Sequence, residues 1–172
     1  MRVYLIGFMG SGKSFLGRKL ALKLGINFLD LDDYISNQSG QTITEIFETK
    51  GESTFRMIES IALKQTFRLN NVIIATGGGT PCYKNNIEKM RQNGLVIFID
   101  PTVDILENRL KHEIKTRPLL KGHANLRNFI IMKLVDRVKF YKKANLIYKV
   151  TKEGDEGEDL AEFLKGFMER NG

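Results

Sequence analysis

The 172-residue chain predicts a three-layer α/β fold: a five-stranded parallel sheet flanked by helices on both faces. Three observations carry that expectation. Short apolar runs of four to six residues alternate throughout with longer segments of helical period. The runs are nearly continuous in Val, Ile, Leu and Phe, as in strands buried on both faces. The first run ends on a glycine-rich turn that opens directly into a helix.

In order, Arg2 to Ile6 reads as a buried strand closed by Gly7, and Gly12 to Leu24 as a helix with Leu16, Leu20 and Leu24 stacked every fourth residue. Asn27 to Leu31 reads as the second strand, ending in the acidic run Asp30 to Asp33. Thr42-Ile43-Thr44-Glu45 is a capping box that starts a short helix through Phe47, and a longer helix spans about Ser53 to Leu69. Val72 to Ala75 is the third strand, broken at Thr76-Gly77-Gly78-Gly79-Thr80-Pro81. Lys84 to Gln92 reads as a helix stopped by Asn93-Gly94, and Leu95 to Ile99 as the fourth strand. Thr102 caps a helix reaching Lys111, residues 112 to 125 form a polar loop, and Leu126 to Lys142 is helical. Leu146 to Val150 is the last strand and Glu158 to Glu169 a terminal helix.

Composition narrows the function classes. No run of about 18 apolar residues exists to span a bilayer, and the N-terminal apolar run is too short for a signal peptide, so a cytoplasmic location is expected. One cysteine, Cys82, and two histidines, His112 and His123, argue against disulfides and zinc. Lys and Arg exceed Asp and Glu by 27 to 20, a net +7 that suits an anionic partner. No basic-aromatic stripe points to nucleic acid.

Gly7-Phe8-Met9-Gly10-Ser11-Gly12-Lys13-Ser14 matches G-x-x-x-x-G-K-[ST] in the strand-to-helix context that a phosphate-binding loop requires. The glycines let backbone N–H groups curl toward phosphate oxygens, and the helix N-terminus adds its positive dipole end. Lys13 reaches the β- and γ-phosphates, and the Ser14 hydroxyl can ligate Mg²⁺. Neither N-K-x-D nor D-x-x-G is present, which argues against a GTPase. Small size then favours a kinase acting on a small molecule.

For the acceptor side, Asp30 and Asp32 lie two apart where the second strand ends, so extended backbone would aim both carboxylates at one ligand. One could hold Mg²⁺ through water while the other grips the acceptor hydroxyl. Asp100, which ends another apolar strand, is a rival for the metal role on local pattern. Arg56 and Glu59 read either as an i, i+3 surface ion pair or as a guanidinium set for a substrate carboxylate. Gly77-Gly78-Gly79 reads as an irregular turn or as close approach of backbone to ligand. Arg117, inside the polar loop, could fold over phosphates during transfer.

These residues resemble the shikimate kinase family. The resemblance runs from Val3 to about Val150 and rests on Asp30-Leu31-Asp32, Gly51-Glu52 with Phe55-Arg56, Thr76 to Gly79, Arg117-Pro118-Leu119-Leu120, and Arg137 with Tyr141 and Ala144. It implies a P-loop kinase fold of the nucleoside-monophosphate-kinase type, one domain over residues 1–172 with an acceptor segment at about 30–60 and a mobile lid at about 112–125. It implies transfer of the ATP γ-phosphoryl group to the 3-hydroxyl of shikimate in aromatic amino-acid biosynthesis. Gly10, Ser11, Gly12, Lys13, Ser14 and Phe15 would then bind ATP, with Arg109 on the adenine side and Arg117 as the lid arginine. Ser14 and Asp30 would serve Mg²⁺, and Asp32 would hold the reacting hydroxyl as base. Arg56 and Arg137 would clamp the carboxylate, Gly77, Gly78 and Gly79 would meet the ring hydroxyls, and Phe47 and Phe55 would wall the pocket. The metal role moves from Asp100 to Asp30, with the Walker B-like strand ending at Thr76. Lys139 stands where the family commonly has proline, and the stretch after Val150 matches poorly. A monomer is expected, with no nucleic-acid or membrane partner. Gluconate or a nucleoside monophosphate as acceptor is the nearest alternative, and a nucleotide-gated nucleic-acid binder a remote one.

Overall fold

The computed structural model describes residues 1–113, 125–155 and 157–171. Its elements are β1 (Arg2–Ile6), α1 (Lys13–Leu24), β2 (Asn27–Asp30), α2 (Leu31–Ser39), α3 (Ile43–Gln65), β3 (Val72–Ala75), α4 (Asn86–Asn93), β4 (Leu95–Pro101), α5 (Val103–Lys111), α6 (Leu126–Tyr141), β5 (Leu146–Val150) and α7 (Glu158–Asn171). The five strands form one parallel sheet in the order β2-β3-β1-β4-β5.

Alternate residues of β1 feed two cores, as a two-sided strand must. Tyr4 and Ile6 pack with Phe8, Ile74, Phe98 and Tyr141 beneath α3 and α6. Val3 and Leu5 pack with Leu16, Leu20, Ile73 and Leu164 beneath α1 and α7. Each fully buried Leu or Ile contributes about 1.5–3 kcal/mol of transfer free energy, so these layers hold the sheet rigid. After β3 the chain crosses over β1 to begin β4, which reverses the direction of strand addition. The crevice at that reversal, beyond the carboxyl ends of β1 and β3, is where ligands bind in such sheets.

Three sequence expectations need correction. The second strand stops at Asp30, because Leu31 opens a nine-residue helix that the pattern reading missed. Asp30 is its N-cap and accepts from the Asp32 N–H at 3.0 Å, so helix capping rather than strand parity arranges the two carboxylates. The expected break between the short helix at Thr42 and the longer one beyond it is present within α3, at Gly51, whose φ of 78° and ψ of 165° are not helical. The last turn before β3 is a 3₁₀ turn over Thr66–Arg68, and α4 begins at Asn86 rather than Lys84, which has φ 48°.

Candidate active site

The phosphate loop joins β1 to α1. Gly10 and Gly12 have φ of 74° and 89°, conformations that a side chain would strain, and they let the loop curl around its own interior. Lys13 Nζ donates inward to the carbonyls of Gly7 at 3.1 Å and Phe8 at 2.8 Å, and to Ser11 Oγ at 3.2 Å. Ser11 is buried, whereas Phe15 is 55% exposed on the rim with Lys19 Nζ 4.7 Å from its ring centre. A cleft of about 420 Å³ runs from Gly10, Lys13 and Ser14 past Asp30 and Asp32 to Gly77 and Gly78.

Ser14 Oγ donates to Asp30 Oδ2, which brings two hard oxygen donors together at the mouth of the loop. That donor set suits Mg²⁺, which takes one or two protein oxygens and draws the rest from phosphate and water. No cluster of three acidic, histidine or cysteine side chains competes for a metal among the described residues. Asp100, the rival on sequence pattern, pairs instead with Lys149 on the neighbouring strand.

The residues expected to serve the acceptor converge on the triple-glycine turn. A methyl group on Gly77 would lie 2.3 Å from Glu59 Oε1 and 3.3 Å from Asp32 Oδ1. On Gly78 it would lie 3.5 Å from Arg137 Nη1, and on Gly79 it would lie 2.5 Å from Arg56 Cζ. Four side chains from three different helices thus meet one segment of bare backbone beside the phosphate loop. At Gly77 and Gly79 a side chain would collide with these groups, so the close packing of this turn requires glycine there.

The i, i+3 pair of Arg56 and Glu59 forms, but not at the surface. Arg56 donates to Glu59 Oε2 at 2.9 Å and to Glu52 Oε1 at 3.2 Å, but Glu59 is fully buried rather than on the surface. Burial works to lower the Arg56 pKa, and the Glu59 and Glu52 carboxylates outweigh it, so the guanidinium sits above its ordinary value. Phe47 and Phe55 pack ring to ring at 4.5 Å, with Arg56 Cζ 5.9 and 5.2 Å from their centres. Arg137 Cζ lies 5.5 Å from the Phe8 ring centre, which ties this arginine to the phosphate loop.

On the opposite side of the cleft, Arg109 donates to Glu153 Oε2 at 2.8 and 3.0 Å and to the Gly10 carbonyl at 3.2 Å. It thereby joins the segment after β5 to the phosphate loop. Arg117 and most of the predicted lid lie outside the described residues, which resume at Asn125, the cap of α6.

The family model for shikimate kinase matches residues 9–167, nearly the whole chain. The chain belongs to the shikimate kinase family. Within that family, a shikimate kinase of Bacteroides fragilis is 39% identical over 160 residues, covering 92% of this chain and 89% of that protein. Among solved structures, a Bacteroides thetaiotaomicron shikimate kinase superposes with a TM-score of 0.89 at 36% identity, covering 98% of each chain. An Acinetobacter baumannii shikimate kinase in complex with shikimate gives 0.86 at 33% identity, covering 99% of this chain and 93% of that one. The five-stranded P-loop kinase fold expected from the sequence is therefore the fold of this family.

Three residues went unassigned by sequence reasoning. Glu59 was weighed only as a surface partner, though it falls on the apolar face of α3 with Phe55 and Leu63 at helical spacing. Thr80 Oγ1 donates to its second oxygen at 2.5 Å, so Glu59 braces both Arg56 and the glycine turn. Glu153 carries no local signal, because its partner is 44 residues away.

Proposed function

We propose that this protein transfers the γ-phosphoryl group of ATP to the 3-hydroxyl of shikimate, giving ADP and shikimate 3-phosphate. The convergence of Asp32, Arg56 and Arg137 on the glycine turn beside the phosphate loop carries this reading. Two separated guanidinium groups suit a single planar carboxylate, and the carboxylate of Asp32 suits a hydroxyl rather than an anion.

The backbone amides of Gly10 to Ser14 and the N-terminus of α1 hold the phosphates, with Lys13 turning from its carbonyl partners to the β- and γ-oxygens. Ser14 and Asp30 would hold Mg²⁺, which neutralises phosphate charge when bound. Arg56 and Arg137 fix the acceptor by its carboxylate, and Asp32 aligns its hydroxyl with the γ-phosphorus and accepts the proton late. In a loose transition state, alignment contributes more than basicity. Gly77, Gly78 and Gly79 offer backbone to the remaining hydroxyls, with Phe47 and Phe55 as the apolar wall. Arg109 and Phe15 border the nucleotide, and Arg117 completes the set as the arginine of a lid over about 112–125. On this reading the chain is a single catalytic unit that works as a cytoplasmic monomer on small molecules.

ADP release measured with shikimate, gluconate and nucleoside monophosphates tests the assignment. Turnover should depend on shikimate alone. Failure of shikimate to stimulate ADP release in folded protein overturns it.

A further inference from the structure

The phenol of Tyr141 is fully buried at the last turn of α6, with its ring 5.0 Å from that of Phe98. Its hydroxyl donates to the Gly78 carbonyl at 2.6 Å, across 63 residues of sequence. Arg137 stands one helical turn earlier on the same element, and its Nη1 lies 3.5 Å from the position a Gly78 methyl would take. One face of α6 therefore holds Gly78 through the Tyr141 hydrogen bond and places the Arg137 guanidinium beside it.

The peptide joining Gly78 to Gly79 is planar and trans, so its C=O and N–H point in opposite directions. A carbonyl held toward Tyr141 turns the Gly79 N–H away from α6. Among the described residues the Gly78 and Gly79 amides donate to no backbone acceptor, while the next amide, of Thr80, bonds to the Gly77 carbonyl at 3.1 Å. Arg56 packs directly on Gly79, so the turn lies between the two arginines. A three-glycine segment has no side chains to fix its peptide planes, and its freedom must be removed by an outside contact.

We propose that Tyr141 is a positioning residue for the acceptor pocket, its hydroxyl fixing the Gly78–Gly79 peptide in register with Arg137 so that carboxylate and ring hydroxyls are met together. The inference rests on the shikimate reading above and adds a residue to it. Burial raises the phenol pKa well above its ordinary value, with the Arg137 charge opposing, so the hydroxyl remains a donor at any working pH.

Tyr141→Phe deletes the oxygen and keeps the ring against Phe98. The KM for shikimate should rise about five- to tenfold, with the KM for ATP within twofold of wild type and kcat reduced less than the shikimate KM is raised. In ligand-free, ¹⁵N-labelled protein, the Thr80 amide of this variant, which closes the turn onto the Gly77 carbonyl, should exchange with solvent at least about fivefold faster. Should the variant not fold, the Tyr141 ring resonances of the wild type serve instead, and they should shift on adding shikimate but not ADP. An unchanged shikimate KM in folded Tyr141→Phe, an unchanged Thr80 exchange rate, or unmoved Tyr141 resonances each overturns the role. A wild type inert to shikimate sinks the proposed function instead, and the ligand-free exchange rate still decides whether the hydroxyl holds the turn.

Discussion

Replacing Gly79 by alanine adds one methyl group at the point where Arg56 rests on the glycine turn. Gly79 has φ −95° and ψ −14°, which alanine adopts without strain, so the backbone itself tolerates the change. The new carbon would lie 2.5 Å from Arg56 Cζ and 2.6 Å from both terminal nitrogens. Ordinary contact needs about 3.5 Å, so the guanidinium must retreat by about 1 Å. It cannot do so freely, because Glu59 and Glu52 hold its two ends at 2.9 and 3.2 Å. A displaced fork loses at least one charged hydrogen bond to the acceptor carboxylate, worth about 1.5–3 kcal/mol, or roughly 10- to 150-fold in affinity. Steady-state kinetics with each substrate varied should show that rise in the shikimate KM, with the ATP KM within about twofold. A shikimate KM unchanged in folded Gly79→Ala, or an ATP KM raised equally, would refute the clamp geometry.

Two further outcomes follow from the same neighbourhood. Glu59→Gln removes the charge from a fully buried carboxylate that Arg56 and Thr80 share, and should cost about 3 kcal/mol, roughly 6–12 °C in Tm, as well as raising the shikimate KM; a wild-type melting curve would contradict the bracing role. Burial raises the Cys82 thiol to about 11, with Arg137 and Arg56 opposing, so only about 0.1% is thiolate at pH 8. Its alkylation should therefore be slow at pH 8 and climb toward pH 11. The unfolded thiol ionises first, so this group's stabilising contribution is complete below about pH 8.5 and declines as pH rises to about 11; rapid labelling of native protein at pH 8 would exclude the shift.

Much of this molecule was legible in the sequence because its signals are local. The strands β1, β3 and β4 are near-continuous apolar runs, and the phosphate loop is contiguous with its strand and helix. The helix α2 was missed because an acidic run at a strand end looks like a solvated turn. Its marks were nevertheless present: Asp30 as cap, Leu31 and Ile35 buried four apart, and Gly40 at the end with φ 66°. The acceptor pocket was less legible from composition, since Arg56 with Glu59 reads equally well as a surface pair. Only the fold shows that Glu59 is buried and that three helices deliver Asp32, Arg56 and Arg137 to one glycine turn. The links from Tyr141 to Gly78 and from Arg109 to Glu153 span 63 and 44 residues, beyond the reach of any local pattern.

The central place of β1 bears on how the chain is made. The first strand of this sheet to be made hydrogen-bonds, among the described strands, to β3 and β4, which end some 70 to 95 residues later. Until they emerge, Arg2 to Ile6 is an apolar ribbon with both edges bare, and the nucleotide loop attached to it has no frame. Nascent chains halted before residue 101 should therefore need chaperone cover and should fail to retain ATP, whatever the quality of their phosphate-binding motif.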